Sequence, residues 1–140
     1  MAALTIFSTV VSGTLVYVIG QIILKFFIEP VQELKKTIGV ISHSLIERAN
    51  VISNPGISVK DAEHETSREL RNLASHLTSH LCLIPSYPWT AWIFRLPTRA
   101  EIRNASKNLI GLANSVFEND GHNPQRVKKV CDLLGISELD

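Results

Sequence analysis

The sequence predicts an all-α protein, with one N-terminal membrane-crossing helix followed by a cytosolic bundle of about four helices. Residues 2–24, AALTIFSTVVSGTLVYVIGQIIL, carry no charged side chain. Beyond them, apolar residues recur at three- and four-residue intervals between breaks rich in proline, glycine and asparagine. No segment shows the alternation of a half-buried strand.

At a rise of about 1.5 Å per residue the uncharged stretch is about 34 Å long, enough to cross a hydrocarbon core of about 30 Å. A secretory signal would open on basic residues and close on a small-residue cleavage site. Here no Lys or Arg precedes the segment, which is too long for a signal core and runs directly into KFFIEP. The expected organisation is a span within residues 1–28 and a helical domain over 29–140. Lys25, Lys35 and Lys36 follow the span and nothing basic but the α-amino group precedes it. The positive-inside rule then puts the C-terminal domain in the cytoplasm and the N-terminus outside.

The span is not uniformly apolar. At 100° per residue, Thr5, Ser8, Thr9, Ser12, Gly13 and Gly20 fall within an arc of about 140°. Small and hydroxylated residues let helices approach closely and bond across the contact, so this stripe predicts association of several copies and is a candidate pore lining. The plainer reading is dimer packing, or hydroxyls bonded to their own helix backbone.

After the span, Pro30 is tolerated in a first helical turn, and Val31, Leu34, Ile38, Ile41, Leu45 and Ala49 repeat at helical spacing. SNPG at 53–56 ends that helix. A second is expected from Val59 or Asp61 to Cys82, with Leu70, Leu73, Leu77 and Leu81 on one face. IPSYPWTAWIFRLP, 84–97, holds three prolines and reads as a break. Thr98 with Glu101 makes a capping box for a third helix carrying Ile102, Ala105, Leu109, Leu112 and Val116. ENDGHN reads as a turn, Asn123-Pro124 as an N-cap with proline after it, and Gly135 as the stop after Leu134.

Composition excludes several classes. A formal charge of +1 and a pI near 7.8, with Lys and Arg scattered, argue against general nucleic-acid binding. Cys82 and Cys131 form neither a zinc motif nor a disulfide framework. His76 and His80, with His64 or Glu65, have a spacing that can hold zinc, but two imidazoles on a polar helix face are ordinarily solvated, and no metal is expected. Ser42-His43-Ser44 are helix neighbours that do not face each other, so no hydrolase triad follows. No glycine-rich loop precedes a helix, and no cofactor is expected. Tyr87, Trp89 and Trp92, with Phe94, gather four of the nine aromatic side chains in one break. They are a candidate ligand or partner loop for stacking on a base or touching headgroups; the favoured alternative is a plug closing the bundle.

RNLASH, residues 71–76, lies in the middle of the second helix. His76 falls on the face opposite the leucines and Arg71 at the edge between them. R-N-x-x-x-H resembles the signature of the HEPN superfamily. That resemblance implies a composite site at a dimer interface in which Arg71 binds phosphate, His76 acts as general acid or base and Asn72 orients them, for metal-independent RNA cleavage. The layout of span, short helical domain and R-N-x3-H resembles the small membrane-anchored HEPN-like accessory proteins of type VI-B CRISPR systems. What it implies is a homo-oligomeric effector of the bacterial inner membrane that forms a pore or perturbs the bilayer in antiphage defence. Its partners would be the lipid bilayer, other copies of the chain and an RNA-targeting or nucleotide-signalling defence protein. The alternatives are an anchored ribonuclease and a scaffold that recruits a cytosolic partner.

Overall fold

The computed structural model describes residues 1–118 and 121–137. The uncharged stretch forms α1 (Ala2–Ile23), in which no residue is buried. Its apolar side chains, Phe7, Val10, Val16 and Ile19 among them, are all exposed. The helix is long and apolar enough to cross a membrane.

Pro30, expected in the first turn of a separate helix, instead sits inside a continuous one. Helix runs without a break from Ala2 to Glu47, 46 residues, through a single π turn at Leu24–Ile28. The cause is local. A proline ring collides with the carbonyl four residues back, here Phe26, and supplies no N–H to it. Widening the preceding turn relieves the clash, with the Glu29 N–H reaching the Leu24 carbonyl. After it, α2 (Glu29–Glu47) turns Val31, Leu34, Ile41 and Leu45 into the core.

The short α3 (Ala49–Ser53) and the SNPG turn lead to α4 (Lys60–Leu83), which returns antiparallel to α2. Gly56, at φ 74°, lets this turn close on the residues that follow the later helix over 99–115: its N–H bonds the Val116 carbonyl at 3.2 Å, and a Cβ there would stand 3.2 Å from the Phe117 carbonyl.

Residues 84–97 are not the unstructured break their prolines suggest. They hold α5 (Tyr87–Phe94), entered through Ser86 in the left-handed region and left through Arg95, also left-handed. Pro88 falls in the first turn, where its missing N–H leaves no helical bond unmade.

The third long helix, α6 (Arg99–Ser115), opens on the expected capping box. The Glu101 N–H donates to Thr98 Oγ1 at 3.2 Å, and the Thr98 N–H donates to Glu101 Oε2 at 2.6 Å. Small side chains let α6 approach α4: the Ser67 hydroxyl donates to the Ala113 carbonyl at 2.7 Å and the Ser106 hydroxyl to the Ala74 carbonyl at 3.1 Å.

The last helix, α7 (Asn123–Leu134), is stopped by Gly135 at φ 65°. Asn123 is not its N-cap; His122 takes that place. Asn123 is instead buried, accepting from the Ser115 hydroxyl and donating to the Ile52 carbonyl at 2.9 Å. One core runs through α2, α4, α6 and α7. Among the described residues every regular element is helical.

Candidate functional site

The α4 helix divides its polar residues between two grooves. On the α2 side an open groove of about 700 Å³ is lined by Glu33, Lys36 and Thr37 from α2 and by Glu65, Arg68, Glu69, Asn72, His76 and His80 from α4. On the α6 side a second, of about 520 Å³, is lined by Arg71, Ser75, Thr78, Ser79 and Cys82 with Ser106 and Ile110. The RNLASH residues are therefore split. Asn72 and His76 open onto the first groove and Arg71 onto the second, where its guanidinium donates to Asn114 Oδ1 on α6. Neither of these two grooves is lined by both Arg71 and His76.

A clamp between α2 and α4 shapes the first groove. The buried Ser44 hydroxyl donates to Glu69 Oε1 at 2.5 Å, and Arg48 donates to Glu69 Oε2 at 3.1 Å and to Glu65 Oε1 at 3.0 Å. Desolvation works against the Arg48 charge. The hydrogen bond and charge of Glu65, together with those of Glu69, outweigh it and raise the pKa above the usual arginine value. Sequence reasoning missed this clamp, although a signal was there. Ser44 and Arg48 stand four apart, as do Glu65 and Glu69, and antiparallel neighbours pair such rows.

His76 and His80 stack further along, ring centroids 6.0 Å apart and planes 20° from parallel. His64 packs on Phe117 instead, at 4.9 Å. Among the described residues no three His, Cys, Asp or Glu side chains gather to hold a metal. The carboxylates of this groove are matched by cations: Glu33 pairs with Lys36 at 3.8 Å, and Glu65 and Glu69 with Arg48 at 3.0 and 3.1 Å.

The stripe of small and hydroxylated residues on α1 is wholly on the surface. Thr5 and Thr9 each donate a hydroxyl to the carbonyl four residues back, at 3.2 and 2.9 Å, so those two bond their own helix, as does Thr14 at 2.9 Å. Ser8 and Ser12 are exposed, and a Cβ at Gly13 or Gly20 would meet nothing within 4 Å.

The aromatic group divides as well. Tyr87 is the plug, 1% exposed, with its hydroxyl donating to the Pro97 carbonyl at 2.5 Å and the Arg99 guanidinium 5.3 Å from its ring centre. Trp89 and Trp92 point out, 72% and 77% exposed, packed edge to face.

No protein-family model, curated protein or solved structure matches the chain. The likeness to HEPN proteins rests on RNLASH and the layout alone.

Proposed function

We propose that the protein is a self-associating, single-pass membrane effector of the bacterial inner membrane, whose α1 acts on the bilayer and whose helical domain faces the cytoplasm. The observation that carries this reading is α1 itself: uncharged, without one buried residue, and continuous with the first helix of the bundle. In water such a surface would be a large uncompensated apolar patch; in lipid it is the expected exterior of a span. The stripe from Thr5 to Gly20 supplies the contact between copies, and assembly around it opens or weakens the bilayer. The layout fits a role in antiphage defence, with RNLASH serving assembly or partner recognition.

The ribonuclease reading is weaker. Arg71 and His76 open onto different grooves, so a composite site needs a second chain to unite them, and carboxylates offset the cations of the His76 groove. The deciding experiment is expression in bacteria with carbonate washing, a C-terminal reporter and a dye-leakage assay. Retention in membranes, a cytoplasmic reporter and leakage on induction are expected. Release into the soluble fraction, or an external C-terminus, overturns the topology; retention without leakage at any expression level overturns the effector role and leaves the scaffold reading.

A further inference from the structure

The exposed tryptophans lie at a particular end of the molecule. Ser44 pairs with Glu69 and Arg48 with Glu65, so four residues along α2 match four residues back along α4. The same register carried to the end of α4 sets Ile84 level with Glu29, and Ile84 and Val31 share the core. The α6 helix leaves from that end too, since Ser106 at its middle meets Ala74 and Ala113 near its finish meets Ser67, further back along α4. Both flanks of α5 therefore stand beside the π turn, where the apolar helix meets the bundle.

The helix YPWTAWIF carries no charged side chain, yet only Tyr87 and Thr90 are buried. Trp89, Trp92 and Ile93 are exposed, as is Leu83 at the end of α4. Phe26 is exposed at the end of the apolar helix, at 61%. Around them Lys25, Arg95 and Arg99 are exposed cations. Tryptophan flanked by basic residues at the level where a span leaves the bilayer is the composition of a membrane–water boundary.

We propose that α5 is a second membrane-contacting element, which lies in the headgroup region beside the span with Trp89 and Trp92 at the acyl boundary and Lys25, Arg95 and Arg99 toward lipid phosphate. It rests on the single-pass reading. The occupant is the bilayer because, by that register, the exposed tryptophans lie at the level where the apolar surface of α1 ends. Docked there, the bundle is held against the membrane at two points.

Trp89 and Trp92 are the only tryptophans, so their emission reports this helix alone. The full chain is reconstituted into vesicles of mixed zwitterionic and anionic phospholipid, along with Trp89→Phe and Trp92→Phe. Expected are a blue-shifted emission, strong quenching by lipid brominated close to the headgroup, weaker quenching by lipid brominated near the chain ends, and little quenching by aqueous iodide. Protein that survives carbonate washing but is quenched by iodide and by neither lipid overturns the proposal while the span stands. Shielding from all three quenchers, lost when protein is diluted in lipid, overturns it in favour of contact between copies. Release by carbonate overturns both readings.

Discussion

Arg71 and His76 stand five residues apart, which on an α-helix turns them about 140° from one another. The sequence left open whether a long arginine side chain would swing across that angle. It bonds Asn114 instead, because α6 packs on its side of α4 and offers an acceptor there. Purified, detergent-solubilised protein is therefore expected to leave RNA intact in chelator, whereas Arg71→Ala and His76→Ala each impair the protein in cells. Robust cleavage by wild type that vanishes in both variants would make the ribonuclease reading the right one. Tyr87 gives a second residue-level prediction. Burial, opposed by Arg99 and reinforced by Glu101, pushes its pKa up to about 12. An unfolded tyrosine ionises near pH 10, so below that both states keep the proton and the stabilisation is whole. From about pH 10 to 12 only the unfolded chain gains by ionising, and stability falls. The urea midpoint should drop across that window, and Tyr87→Phe should make the drop shallower; equal slopes in the two proteins would count against the buried hydroxyl as its source.

At the scale of elements, α1 has an unusual property for testing association. Gly13 faces open space, so Gly13→Leu collides with nothing in its own chain. Any loss on that substitution comes from a neighbour. Gly13→Leu and Ser12→Leu are expected to weaken cross-linking between copies or membrane leakage, while Val10→Leu, on another face, leaves both unchanged. The same effect from all three, or from none, removes the stripe as an organising surface. The π turn belongs to this scale as well. Pro30 was legible as a helix-tolerated proline, but whether the chain breaks there or widens a turn depends on how the residues after it pack. Here Leu34, Ile41 and Leu45 are buried along the core face of α2, and continuing the helix keeps them so.

Over the whole molecule, one side chain bridges three elements at the end of the bundle farthest from α1. Asn123 joins α7 to Ser115 at the end of α6 and to Ile52 in α3. Asn123→Ala takes the side-chain donor from the buried Ile52 carbonyl and leaves the Ser115 hydroxyl only the Leu112 carbonyl, at 3.2 Å; it should cost about 1–2 kcal/mol, read as a lowered urea midpoint. Asn114→Ala, at an exposed pair, should shift it by no more than about 0.5 kcal/mol. Similar shifts from the two would mean that Asn123 acts only as an ordinary first-turn residue.

What the sequence determined by itself is what depends on neighbours in the chain. The uncharged length of α1, the leucine face of α4, the Thr98–Glu101 cap and the Gly135 stop come from local composition and helical period, and all were legible. Residues 84–97 misled because proline density signals a break, while a proline in a first turn costs a helix nothing. The candidate site was legible only as a polar face. Its division into two grooves, the Ser44–Arg48–Glu65–Glu69 clamp, the burial of Tyr87 beside two exposed tryptophans and the bridging of Asn123 were decided by tertiary structure. Each is set by which helix lies against which, a contact between residues far apart in sequence that no local pattern encodes.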